Sequence, residues 1–178
     1  GKWNIEEREG RSGEKTRLQL SLIGGDVSPV SFPNFSADDS NKHWNAGGHD
    51  EVLIKNVPTK TIKAIDGKDL VVATVYDLMM ANYGLDRGLG GTNVATTLDD
   101  DIPGTPAWQE KITGVARDKV IKIAREFADT ANKTNGKSMI IVGAAMNHWY
   151  HMDMNYRGLI NMLMMCGCVG QSGGGLAH

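Results

Sequence analysis

Cysteine, an excess of charge of either sign and long apolar runs are all scarce in this sequence, and each shortage removes a class of function. There are two cysteines, Cys166 and Cys168. Two are too few to ligate an iron–sulfur cluster within the segment, and Cys-x-Cys spacing at a helix end does not suit a mutual disulfide. They read as small buried apolar residues of a reducing compartment. Lys and Arg number 19 against 21 Asp and Glu, for a formal net charge of -2. The basic residues are scattered, so the clustered positive surface of a nucleic-acid binder is lacking. No apolar run approaches the roughly 20 residues that cross a bilayer, and no signal peptide is visible. A direct membrane span is therefore not expected.

What is present changes character near residue 73. At 178 residues the chain has ordinary domain size. It opens on Gly1 and stops at His178 just behind a glycine cluster, and is expected to be an excerpt of a longer chain. Residues 1–73 read as a β-rich and loop-rich region contacting the rest of a larger subunit, and residues 74–178 as part of an α/β domain. In the first region "LQLSLI" (Leu18 to Ile23) alternates as a half-buried strand does. Gly24 to Asp50, dense in Gly, Pro, Ser, Asn and Asp, reads as one long loop. "EVLIKNV" and "KTIKAIDGKDLVVAT" read as strands, the latter folded into a hairpin at Asp66-Gly67.

From Thr74 the apolar period becomes helical. "TVYDLMMANYG" offers Thr74 as an N-cap and Gly84 as the left-handed terminator, and "TPAWQEKITG" repeats that grammar with Thr105, Pro106 and Gly114. Val120, Ile123, Ala124, Phe127 and Ala128 then form the stripe of a helix lying on a sheet, with Asp118 near its start complementing the helix dipole. "SMIIVG" is apolar on consecutive residues, as in a strand covered on both faces, so Ile140 to Val142 is expected as an inner strand. A second helix over Met154 to Met165 follows, with Tyr156, Leu159, Ile160, Leu163 and Met164 on one face, and its methionines read as core filling. The expected fold is α/β: a Rossmann-like, mostly parallel sheet flanked by helices, with a small β-rich and loop-rich N-terminal region.

In such sheets ligands bind beyond the carboxyl ends of the strands, which puts "GAAMNHWYH" (Gly143 to His151) at a binding edge. Asn147 offers donors and an acceptor, His148 and His151 offer switchable donors, and the N–H groups opening the next helix favour an anion. The two histidines read equally as hydrogen-bonded loop residues. His-x-x-His lacks the further ligands of a zinc site. "GCVGQSGGG" (Gly167 to Gly175) permits close backbone approach or an anion-binding nest, or is simply a turn. It follows a helix and lacks G-x-G-x-x-G spacing, so it is not a nicotinamide-dinucleotide fingerprint.

"GKWNIEEREGRSG", "VATVYDLMMANYGLDRGLGG", "TPAWQEKITGVARDKVIKIAREFA" and "MIIVGAAMNHWYHMDMNYRGLINML" followed by "CGCVGQSGGG" closely resemble the catalytic α subunits of membrane-bound respiratory nitrate reductases, members of the molybdopterin oxidoreductases. The resemblance covers nearly the whole chain. It implies that residues 74–178 are part of a cofactor-binding domain for bis(molybdopterin guanine dinucleotide) with molybdenum. Related enzymes carry a glycine-containing strand end followed by a polar pair facing the cofactor, matched here by Gly143, Ala144, Asn147 and His148. They also share a turn after the next helix, matched by Cys166 to Gly170, with Ser172, Gly173, Gly174 and Gly175 leading back. Cys166 stands where that turn commonly has Thr.

The resemblance further implies reduction of nitrate to nitrite in anaerobic respiration. An iron–sulfur β subunit and a membrane-anchoring cytochrome subunit would be the partners, and the cytoplasmic face of the inner membrane the location. His148 is the residue expected to assist the chemistry. The family's aspartate ligand to molybdenum and its 4Fe-4S cluster belong to an upstream segment, so no metal ligand is assigned here. Asp153 has an adequate explanation in the helix dipole. The segment alone is expected to be inactive. A related molybdenum oxidoreductase of nitrite-oxidising or chlorate type, and a non-catalytic α/β binding module, stay open as alternatives.

Overall fold

The computed structural model describes residues 5–9, 15–33 and 52–178. The chain divides into two compact units, one running to Arg117 and the other from Asp118 to His178.

The first unit is antiparallel. β1 (Ile5–Glu9) pairs with β2 (Lys15–Gln19). A separate sheet has the order β3-β4-β5, built from Asp26–Pro33, Val52–Lys63 and Asp69–Val72. Three sequence expectations change here. The strand expected over Leu18 to Ile23 ends at Gln19, and β3 occupies the front of the expected loop from Gly24 to Asp50. The rest of that loop, residues 34–50, lies outside the described residues. β3 escaped notice because it carries Pro29 and Pro33, which suggest a loop; as an edge strand it needs only one hydrogen-bonded side, where proline is tolerated. The two strands read across Glu51 to Lys63 are one, β4, which pairs with β3 as far as Thr59 and with β5 from Lys60 onward. Pro58 sits where, among the described residues, β4 is paired with β3 alone. The hairpin at Asp66-Gly67 forms as expected, with Gly67 at φ 81°.

Two short helices follow, each started and stopped by the residues anticipated. α1 (Val75–Asn82) is capped by the Thr74 hydroxyl, which accepts from the Asp77 N–H at 3.0 Å, and Gly84 turns the chain away at φ 71°. α2 (Pro106–Thr113) is capped by Thr105, which accepts from the Trp108 N–H at 3.1 Å, and ends at left-handed Gly114.

Asp77, with no exposed surface, ties this unit together. Its carboxylate accepts from the Ser21 hydroxyl (2.6 Å), the Leu22 N–H (2.8 Å), the Thr74 hydroxyl (2.8 Å) and the Arg87 guanidinium (2.7 Å). Arg87 also donates to Ser21 and lies over the Tyr76 ring. Burial pushes the Asp77 carboxyl up, but the hydrogen bonds from Leu22, Ser21, Arg87 and Thr74 outweigh it and hold it below the ordinary carboxylate value.

The second unit is the α/β part: helix α3 (Arg117–Thr134, its first residue closing the preceding unit), strand β6 (Met139–Ile141), the single turn α4 (Ala144–Asn147), helix α5 (Met152–Met165) and strand β7 (Gly175–Ala177). Ala131 from α3, Leu163 from α5 and Cys168 form its core, with Phe127, Ile140 and Cys166 packed against them. Both cysteines carry free thiols.

The strand and its flanking helices stand where periodicity placed them, in a mixed α/β arrangement. The parallel part, however, is one pair, β6 with β7. Among the described residues Ile140 to Val142 is not an inner strand. Val142 is buried and Ile140 half-buried, but Ile141 is 77% exposed. A consecutive apolar run reports what a strand is built to touch, and among the described residues β6 has a strand partner on one edge only. The stripe on α3 shows the same effect: Phe127 and Ala128 are half-buried, whereas Ile123 and Ala124 are exposed.

Candidate functional site

The parallel register of β6 and β7 decides what meets what. Met139 lies opposite Gly175 and Ile141 opposite Ala177, and the Val142 N–H continues the ladder to the Ala177 carbonyl at 2.9 Å. The chain therefore leaves β6 at Gly143 beside the point where β7 delivers His178. Gly143 is exposed and extended (φ -109°, ψ 173°), and a Cβ built on it would meet nothing within 4 Å. The surface there is open.

From Gly143 the chain takes the turn of α4, whose end is closed by the His148 N–H on the Ala145 carbonyl at 3.3 Å. His151 then takes a left-handed conformation, φ 59° and ψ 30°, to start α5. That kink presents Asn147 to α5. The Tyr156 hydroxyl donates to Asn147 Oδ1, and Asn147 Nδ2 lies 2.7 Å from His178 Nε2. The rings of Tyr156 and His178 stack at 6.5 Å and 26°. His148 is exposed, and its imidazole has no hydrogen bond among the described residues. Trp149 and Tyr150 next to it are 66% and 83% exposed.

Of the residues singled out from the sequence, Gly143, Ala144, Asn147 and His148 share this carboxyl edge. Ser172, Gly173, Gly174 and Gly175 do not join them. They enter β7 at its amino end, where the Gly175 N–H bonds the Ser138 carbonyl at 3.2 Å. At about 3.3 Å per strand residue the two groups are separated by roughly 10 Å of strand. Gly174 also has a reason of its own to be glycine. A Cβ there would lie 2.2 Å from the Gly136 carbonyl oxygen and 2.6 Å from that of Cys168, so the backbones touch.

Two residues of the carboxyl edge escaped the sequence reading. Tyr156 was assigned to the apolar face of α5 because its spacing fits, although its hydroxyl needs a polar partner. His178 was given no role. The available signal was "GLAH" after the glycines, a short strand whose return beside β6 would carry its last residue to the same edge. Asp153 is exposed in the first turn of α5, in keeping with its dipole explanation. The Cys166 thiol is pushed up by burial and then by Cys168, which leaves it protonated and unreactive at neutral pH.

The donor set at this edge suits a polar heterocycle. Asn147 retains one uncommitted N–H, the imidazole of His148 points no bond inward, and the open surface over Gly143 admits a flat group against backbone. Among the described residues no three His, Cys, Asp or Glu side chains are grouped to hold a metal. Also among them, no helix is long and apolar enough to cross a membrane.

The family model described as molybdopterin oxidoreductase matches residues 33–178. The respiratory nitrate reductase 1 alpha chain of Escherichia coli is 58% identical over 180 residues, and the respiratory nitrate reductase 2 alpha chain of the same organism 54%; each match covers 100% of this chain and 14% of the relative. The nitrate reductase alpha chain of Bacillus subtilis is 42% identical over 179 residues, 99% of this chain and 14% of the relative. The chain thus spans about 14% of the length of the curated relatives it matches.

Proposed function

This chain belongs to the molybdopterin oxidoreductase family, and from that premise we propose that it is a segment of the catalytic subunit of a respiratory nitrate reductase, helping to hold the molybdenum cofactor. The observation that carries the reading is identity of 58% over the whole chain with a respiratory nitrate reductase alpha chain. When bound, the molybdenum cofactor supplies the oxygen-atom and two-electron chemistry that turns nitrate into nitrite; the polypeptide binds, orients and tunes. We assign the cofactor as bis(molybdopterin guanine dinucleotide), with a 4Fe-4S cluster elsewhere in the subunit.

In this reading Gly143 and Ala144 give the cofactor a backbone surface free of side-chain obstruction, and Asn147 donates its spare N–H. His148 is exposed at the same edge and donates a hydrogen bond near the reacting anion. Ser172 to Gly175, at the other end of the strand pair, belong to a second stretch of an elongated cofactor. Residues 74–178 form part of the cofactor domain and residues 1–73 contact the rest of the subunit. β6 and β7 become two strands of a wider, mostly parallel sheet, which supplies the cover that Ile141 lacks here. The partners are an iron–sulfur β subunit and a membrane-anchoring cytochrome subunit, which hold the catalytic subunit at the cytoplasmic face of the inner membrane.

The test is His148→Ala in the full-length enzyme. Losing one hydrogen bond to a charged or developing-charge group is worth about 1.5–3 kcal/mol, a rate loss of roughly tenfold to a hundredfold. Nitrite formation per bound molybdenum should fall by that factor while the melting temperature holds. Unchanged turnover per molybdenum would leave His148 a surface residue.

A further inference from the structure

Asn147 does not stand alone at the carboxyl edge. Its amide nitrogen carries only hydrogens, so in the 2.7 Å contact it is the donor and His178 Nε2 the acceptor. With the amide in this orientation His178 Nε2 accepts, which matches the tautomer that carries its hydrogen on Nδ1. At the other end of the amide the Tyr156 hydroxyl donates to Oδ1. The chain of donors has one direction: Tyr156 to Asn147 to His178. Reversing the amide would need both outer groups to change role at once, His178 carrying its hydrogen on Nε2 and the Tyr156 hydroxyl accepting. The stacked rings of Tyr156 and His178 hold the two outer members at a fixed spacing. Three elements supply the three residues, α5, α4 and the end of β7, so only the folded register brings them together.

We propose that Tyr156 and His178 are positioning residues that lock the amide of Asn147 in one orientation, so that its remaining N–H is always presented to the polar edge of the bound pterin. This rests on the assignment of Asn147 to the cofactor made above. A group held in place before the ligand arrives loses little freedom on binding, and the benefit is a slower release of the ligand. Neither Tyr156 nor His178 needs to touch the cofactor.

The experiment uses the full-length holoenzyme and follows the rate at which pterin and molybdenum leave it, which does not depend on turnover. Tyr156→Phe removes only the hydroxyl, and His178→Leu removes the acceptor. Each should speed cofactor loss roughly threefold to tenfold, the usual weight of one hydrogen bond. His178→Gln, whose side-chain oxygen can accept near the place of Nε2, should restore a rate close to that of the unaltered enzyme, which mere packing would not achieve. Placed in an Asn147→Ala background, Tyr156→Phe and His178→Leu should add nothing, because they act through the group already removed. Faster loss from Asn147→Ala, with no effect of the other two or with fully additive effects, would overturn the positioning role alone. No change in Asn147→Ala would overturn the cofactor assignment of Asn147, and the positioning role with it.

Discussion

Asp77 is fully buried and gathers four donors from three separate stretches of the first unit. Desolvating a carboxylate is costly, and here the cost is offset by three neutral donors and a guanidinium. Removing the charge with Asp77→Ala leaves Arg87 facing an empty acceptor position, and the local stability should fall by about 3–5 kcal/mol. Native-state hydrogen exchange of the full-length protein checks this, with protection lost at Leu22 and Asp77, whose N–H groups depend on the network. The pH dependence has a definite sign. The folded carboxyl titrates below the ordinary carboxylate range, so its contribution is complete above about pH 4 and disappears as the pH falls through the depressed folded value. Asp100 behaves likewise. Its carboxylate accepts from the N–H groups and hydroxyls of Thr96 and Thr97, which lowers its pKa to about 2. Asp100→Asn should therefore weaken protection around Thr96 and Thr97 at neutral pH. The difference from the unaltered protein should shrink as the pH falls from 4 towards 2, and a difference undiminished at pH 2 would contradict the assignment.

At the scale of elements, two glycines separate packing from binding. Gly174 has carbonyl oxygens from Gly136 and Cys168 inside the space of any Cβ, whereas Gly143 faces open space with an extended backbone that any residue adopts. Gly174→Ala must push β7 away from its neighbours, and a lower melting temperature is expected; Gly143→Ala should melt like the unaltered protein. If the cofactor lies over Gly143, the second variant instead lowers pterin content, since the added methyl occupies the surface the cofactor needs. The helix α5 supplies the matching test of the core. Leu163 is 1% exposed between α3 and the β6–β7 pair, and Leu163→Ala should cost about 2–5 kcal/mol, seen as loss of exchange protection across α5.

At the scale of the whole molecule, apolar side chains are left uncovered in the second unit, among them Ile141, Ile123, Trp149 and Tyr150. Large apolar side chains left exposed suit surfaces made for contact, and the chain spans 14% of the relative's length. The isolated 178-residue chain should accordingly bind no molybdenum and produce no nitrite from nitrate, while binding an apolar dye that the full-length protein excludes. Metal analysis, a nitrite assay and dye fluorescence read the three outcomes. Nitrite production by the purified segment would overturn the expectation.

Local chemistry determined the parts of this protein whose causes lie within a few residues. Thr74 and Thr105 start helices, Gly84 and Gly114 stop them, Asp66-Gly67 turns a hairpin, and the apolar run at β6 makes a strand. Each depends on a hydrogen bond or a backbone angle set by near neighbours, so the order of residues suffices to read it. The shared position of Gly143, Asn147 and His148 was legible in the same way, because a polar cluster directly behind an apolar strand lies at its carboxyl edge. Tertiary structure alone decided the rest. Whether Pro29 sits in a loop or an edge strand depends on which side of β3 is bonded, and the separation of Ser172 to Gly175 from Asn147 depends on the parallel register of β6 and β7. The meeting of Asn147, Tyr156 and His178 belongs to the same class. Residues 31 apart in sequence are brought within 2.7 Å by strand pairing, a long-range event set by the register and not by the near neighbours of either residue.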